Sequence, residues 1–262
     1  MLLSPNPVDH AAAAETMARN AEALAESPNL WRWNLGVFPL ERGRRILDVG
    51  CGPCLYWREI IRLEPACYVA ADVSATFLGD VQRRLEGRVP LKTRILDLTD
   101  ARLDAWWEGE SLEDAFCFDV LEHIADDGAA AFNLATLLRS TGVKRLFVRV
   151  PALPSLYGRN DAAIGHYRRY SRRGLRSLLD GAGLPPVRIG FHNAAGIIPW
   201  FVIGRLARRA QAVSSAEGKA FDLLVPFLRF AERMVPPPLG LSLYAVCAVP
   251  SGAGVGARPL GP

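Results

Sequence analysis

The sequence predicts an α/β fold, a doubly wound sheet with helices on both faces, and three observations carry that expectation. In residues 45–57 (RILDVGCGPCLYW) an apolar run too short for a helix is broken by Gly50 and Gly52 before a helical stretch begins. Two later apolar runs, residues 66–71 and 91–96, close on Asp72 and Asp97, so that with Asp48 three strands end in an aspartate. The chain has 262 residues, 50% of them hydrophobic, which is ample for one core carrying an insertion. In such a sheet, ligands collect outside the carboxyl ends of the strands, beside the point where strand order reverses. Without Cβ atoms at Gly50 and Gly52 the backbone can approach a ligand closely. The first turn then forms the floor of a site, with Asp48 facing it.

Three readings of this turn compete. A dinucleotide-binding turn needs a third glycine where this chain has Leu55, which argues against NAD. Cys51-Gly52-Pro53-Cys54 spells a CxxC between a strand and a helix, as in thioredoxin-like redox proteins, but that reading leaves Asp72 and Asp97 unexplained. The third is the D-x-G-x-G turn, which resembles that of class I methyltransferases. The resemblance implies S-adenosylmethionine as cofactor, S-adenosylhomocysteine as product, and a Rossmann-like seven-stranded sheet. It further implies that Asp72 takes the ribose hydroxyls and that Asp97 lies near the adenine amino group.

Taking the elements in order, residues 9–27 have helical spacing that Ser27 and Pro28 close, and residues 29–40 (NLWRWNLGVFPL) are rich in aromatics. Residues 1–40 are expected to form an N-terminal helical cap, in which Trp31 and Trp33 either stack on the ligand, with Trp33 the candidate cofactor contact, or pack in the core or lid. After the strand ending at Asp72, a helix led by Ser74 runs through Leu85; after Asp97, residues 100–110 are expected to form a short charged helix. Residues 112–118 form a fourth strand that leads into Asp119-Val120-Leu121-Glu122-His123, close to an "LEH" stretch of bacterial methyltransferases. By that resemblance Asp119, Val120 and Leu121 line the cofactor, as do Cys51, Val73, Phe77 and Leu98, and His123 is the first candidate for a base. With no second histidine at ligand spacing, no metal site is expected.

A helix over 129–139 and a fifth strand over 143–150 precede a long polar loop, PALPSLYGRNDAAIGHYRRYSRR, which closes on a helix capped by Ser171. Its GHYRRY run resembles a bacterial class I methyltransferase signature and makes His166, Tyr157 and Tyr167 further catalytic candidates. Residues 187–191 and 240–249 read as strands six and seven, a pair that the family sets antiparallel. The intervening residues 194–236 are too long for a bare loop and are expected to form a helical insertion that roofs the site, contacts a second copy as a homodimer or touches a membrane surface. Residues 1–250 thus make one domain, followed by a disordered tail over 251–262 rich in Gly and Pro. The family's turn commonly carries a third glycine where Cys54 stands, which leaves open a disulfide between Cys51 and Cys54.

The net charge is +4, and only Lys92, Lys144 and Lys219 among 31 basic residues are lysines. No aromatic stripe interleaves with the arginine clusters, which argues against a nucleic-acid partner. No segment reaches the roughly 20 apolar residues that span a bilayer. Five cysteines without a paired ligand pattern, and no basic segment ahead of an apolar one near the start, lead to the expectation of a reducing cytoplasm. The expected activity is methyl transfer to an oxygen, or to nitrogen or carbon, of a small biosynthetic intermediate of the natural-product or sugar type. An RNA or protein methyltransferase, or a cofactor-binding protein without turnover, stands as the alternative.

Overall fold

The computed structural model describes residues 16, 24, 26–100, 102–202 and 215–250. Seven strands form one sheet in the order β3-β2-β1-β4-β5-β7-β6. β1 (Arg45–Val49), β2 (Cys67–Asp72), β3 (Leu91–Ile95), β4 (Asp114–Phe118) and β5 (Arg145–Pro151) run parallel. β7 (Ser242–Ala248) is antiparallel to both β5 and β6 (Pro186–His192). Strand order reverses between β1 and β4, so the turn after β1 sits at the switch point.

The alternation of side chains along each strand divides the core in two. Leu47, Val49, Val69, Ala71, Ala115 and Val148 face one layer, built from α4 (Asp127–Thr141) and α6 (Arg172–Gly181). Ile46, Tyr68, Ala70, Phe116 and Phe147 face the other, with α1 (Pro28–Leu35), α2 (Trp57–Leu63) and α3 (Ala75–Leu85). Local chemistry sets the helix ends. Ser74, Asp126 and Ser171 accept hydrogen bonds from the amides of Phe77, Ala129 and Gly174, and Gly142, at φ 82°, ends α4.

The helix expected over residues 100–110 does not form; the described residues there make turns and bends. Asp97 and Asp100 accept hydrogen bonds from the amides of Thr99 and Arg102, and the Trp106 and Trp107 indoles donate to carbonyls of Ile95 and Glu110. These side-chain bonds satisfy the backbone in a non-helical path.

The stretch between β6 and β7 is helical where it is described. α7 (Ile197–Phe201) follows β6, and α8 (Ser215–Met234) crosses α1. Because Pro151 at the end of β5 pairs with Ser242, which also pairs with His192, this insertion leaves the sheet at the edge where the parallel strands end. Most of the helix expected over 9–27, the basic cluster at 205–209 and the tail at 251–262 lie outside the described residues.

Candidate active site

The floor is the turn after β1. Strand alternation places Asp48 on the same face as Ile46, beneath α2 rather than out in solvent. Its carboxylate is fully buried; Oδ2 accepts from the Tyr56 hydroxyl at 2.6 Å and from Tyr68, while Oδ1 has no hydrogen-bond partner. Burial outweighs the two tyrosine hydrogen bonds and pushes the carboxyl up to about 7.

Both turn glycines have positive φ, 68° at Gly50 and 51° at Gly52, but they serve different ends. A Cβ on Gly50 would lie 2.4 Å from Val120 Cγ2, so the turn needs glycine to pack against the chain leaving β4. A Cβ on Gly52 would meet nothing within 4 Å, which leaves open space above the turn. Gly50 and Cys51 donate their amides to the Ala71 carbonyl, and the Gly52 amide donates to Asp72 Oδ2 at 2.9 Å.

Asp72 is nearly buried; its second oxygen accepts from the Ser74 amide, and burial raises its pKa. Beside it Val73 is 64% exposed, Phe77 is half-buried, Ile95 is 56% exposed and Asp97 is open to solvent. An exposed apolar strip thus runs between two carboxylates along the ends of β2 and β3.

Cys51 and Cys54 are buried free thiols with no disulfide between them. Burial, followed by the Asp48 charge, pushes both thiols up, the opposite of the stabilised thiolate that redox CxxC chemistry requires. Three expected cofactor contacts also change character. Trp33 is 2% exposed, packed with Leu30 and Val225 and set edge-on to His192 at 4.7 Å, so it cannot stack on a ligand as it stands. The Leu98 and Leu121 side chains point into the core, leaving only their backbone for a ligand.

The wall comes from the chain after β4. Asp119 adopts φ 55° and pairs with the buried guanidinium of Arg149 on β5, which also lies over Trp31 and Phe118. The next residues form one 3-10 turn (Leu121–His123), and the long loop after β5 is tied to it by the Tyr167 amide, which donates to the Glu122 carbonyl at 2.8 Å.

That tie carries His166 across from the other loop. The rings of His123 and His166 meet edge to face at 4.6 Å, and His166 Nε2 lies 3.8 Å from Glu122 Oε1. Donor atoms of Glu122, His123 and His166 all lie within 4.8 Å of one another. Behind His166, Nδ1 is 3.0 Å from Asp161 Oδ1, and Arg169 donates to the same oxygen at 2.8 Å. Burial works against the Asp161 carboxylate, but His166 and Arg169 together hold it below its usual range. An ionised Asp161 only accepts, so Nδ1 carries the proton of this bond, and in the neutral ring Nε2 presents its lone pair.

Burial, and then the neighbouring His166, lowers His123 to about 4, so its imidazole is neutral at pH 7. Burial drives Glu122 well above the ordinary carboxylate range, with Asp119 adding to the effect. Tyr157 donates its hydroxyl to the His166 carbonyl at 2.8 Å and so braces the loop, whereas Tyr167 is half-buried.

Sequence reasoning found both histidines but missed the role of Glu122, and it missed Arg149 and Arg169. The signal for Glu122 is a carboxylate within an otherwise apolar run directly before a histidine; nothing local marks the arginines.

The arginines of the first cluster, and Arg168 and Arg169 of the second, pair within the fold. Arg42, Arg44 and Arg45 pair with Glu64, Glu113, Asp114 and Glu110, and Arg168 pairs with Asp127. A cavity of about 320 Å³ lies between α1 and α8, lined in part by Arg32, Arg229 and Phe230, and is separate from this site. No helix among the described residues is long and apolar enough to cross a membrane.

Comparison with known proteins agrees with this geometry. Residues 47–143 match the family described as a methyltransferase domain. A chain from the complex between the Haloferax volcanii Trm112 methyltransferase activator and a methyltransferase is similar at 14% identity and TM-score 0.61, over 94% of this chain and 99% of that one. An S-adenosylmethionine dependent methyltransferase from Mesorhizobium loti is similar at 13% identity and TM-score 0.54, over 87% and 99%. The [4+2]-cyclase SpnF is similar at 16% identity and TM-score 0.52, over 85% and 81%. The curated proteins gave no match.

Proposed function

We propose that this chain is a class I methyltransferase that uses S-adenosylmethionine and that it methylates a hydroxyl oxygen of a small molecule held against the His123–His166 cluster. The observation that carries this reading is the meeting of those imidazoles past the carboxyl end of β4, on the segment whose Val120 packs against Gly50.

The residues present fit the cofactor. The space above Gly52 accommodates it, the unpartnered Asp48 Oδ1 suits a cationic group, and the exposed Val73 and Ile95 between Asp72 and Asp97 suit a flat base beside a ribose. Gly50, Cys51, Asp119 and Val120 complete the rim. The bound cofactor supplies a sulfonium methyl with a good leaving group, so the chain's main work is alignment. Asp161 holds His166 Nδ1–H, and Nε2 takes the acceptor proton. His123 stays neutral beside it, and Tyr167 orients the acceptor. The insertion favours an enclosed, partly apolar acceptor, of natural-product or sugar type.

The internal pairing of Arg44 and Arg168 leaves fewer free cations for an RNA backbone. The likeness to a cyclase supports a second reading, a cofactor-holding chain without methyl transfer. His166→Asn separates the two. It should lower kcat by about 10²–10⁴ while leaving S-adenosylhomocysteine affinity, read by calorimetry, within about twofold. Failure of the wild-type chain to convert the cofactor with any hydroxylated acceptor would leave the second reading.

The outer face of α8, where Leu223, Phe227 and Phe230 are 75%, 77% and 68% exposed, is read as the contact for a second copy. Light scattering should give twice the chain mass, and a monomer would remove this assignment. Buried free thiols support a reducing, cytoplasmic setting.

A further inference from the structure

We infer that Glu122, His123 and His166 form a binding site for one divalent transition-metal cation. Glu122 makes the strongest case. It is fully buried, and neither carboxylate oxygen has a hydrogen-bond partner, whereas the equally buried Asp161 and the nearly buried Asp114 are engaged by arginines. A carboxylate left this way is costly unless some group completes it. Two imidazoles converge on the same point, with all donor atoms within 4.8 Å of one another.

The surroundings hold the donors as a metal site requires. Asp161 fixes the His166 tautomer, so that the Nε2 lone pair faces Glu122, and Arg169 fixes Asp161 in turn. A carboxylate behind a ligating histidine is the usual way such rings are oriented and made more basic. Two nitrogens and one carboxylate suit Zn²⁺ or another first-row divalent ion better than Mg²⁺ or Ca²⁺, which prefer all-oxygen sets. Bonds of about 2.1 Å set tetrahedral donors roughly 3.4 Å apart, so the widest separation, at most 4.8 Å, closes by up to about 1.4 Å on binding.

Three protein ligands leave a coordination position open, and the half-buried His123 side connects it to solvent. The binding assignment stands alone; its consequence for catalysis rests on the hydroxyl reading above. A hydroxyl coordinated there loses its proton more readily, and with the metal in place that proton passes to solvent rather than to His166. The oxygen then forms its bond to the methyl carbon as the carbon–sulfur bond breaks.

The test uses Co²⁺ as the probe on the full chain after treatment with a chelator. One Co²⁺ per chain is expected by elemental analysis, with visible d–d absorption, no thiolate charge-transfer band and shifted resonances from two imidazoles. Glu122→Gln should weaken binding at least tenfold, and Asp161→Asn by about 10–100-fold, each checked for a cooperative melt. The wild-type signature decides alone if these variants do not fold. No bound Co²⁺, a thiolate band, or unchanged affinity in folded Glu122→Gln would overturn the assignment. S-adenosylhomocysteine binding measured on the same protein keeps failure of this site distinct from failure of the methyl-transfer reading.

Discussion

Asp48 holds a carboxylate in the interior, where two tyrosine hydroxyls satisfy one oxygen and nothing satisfies the other. Its folded pKa of about 7 lies above the ordinary 3.8, and the sign of the linkage follows. Below 3.8 both folded and unfolded chains are protonated, and this group's contribution is fully present. Between 3.8 and 7 the unfolded chain gives up its proton and the folded chain does not, so stability falls by up to about 1.4 kcal/mol per pH unit; above 7 the slope vanishes. Denaturant unfolding across that window should show a downward slope that Asp48→Asn flattens. Equal slopes in the two proteins would mean that the folded carboxyl is already ionised. The aspartate itself is legible in the sequence because it closes an apolar run ahead of two glycines. Its burial is less so, since it depends on Tyr68 arriving from the neighbouring strand. Asp72 and Asp97 fall at or just past strand ends for the same local reason, whereas Trp33 looks like a ligand platform only until the partners that bury it are known.

At the level of elements, the N-terminus of α1 has a remote cap. Ser27 occupies the N-cap position, but its hydroxyl makes no capping bond. Asp222 from α8 supplies it instead: Oδ1 accepts from the Leu30 amide at 2.8 Å and Oδ2 from Asn29 Nδ2 at 3.1 Å. The bond also places a negative charge at the positive end of the helix. Asp222→Ala should cost about 1–2 kcal/mol, as loss of a good cap does, and should speed hydrogen exchange at the α1 amides. Unchanged exchange there would show that α8 does not hold α1 in place. No local pattern announces such a cap, because the partners are 192 positions apart. Strands are read more easily: short apolar runs, buried on both faces and closed by glycines or aspartates, mark β1, β2 and β4 to within a residue or two. Residues 100–110 mislead because their charges look helical, while Asp97, Asp100 and two indoles tie up the backbone otherwise.

Across the whole molecule, function follows from topology. The reversal of strand order sets the ends of β1 and β4 side by side, so Gly50 packs on Val120, which leads into the turn that carries His123. The loop after β5 then crosses back and sets His166 against His123. Spacing along the chain gives no metal-ligand or dyad pattern for this pair; only the fold brings the two histidines together. The account rests on the turn after β1 holding an adenosyl group between Asp72 and the open space over Gly52. Calorimetric titration with S-adenosylhomocysteine tests it most directly, with the wild-type chain set beside Asp72→Ala and Gly52→Val. One site per wild-type chain is expected, with affinity at least tenfold weaker in each variant. No heat with the wild-type chain, or equal affinity in all three folded proteins, would contradict it.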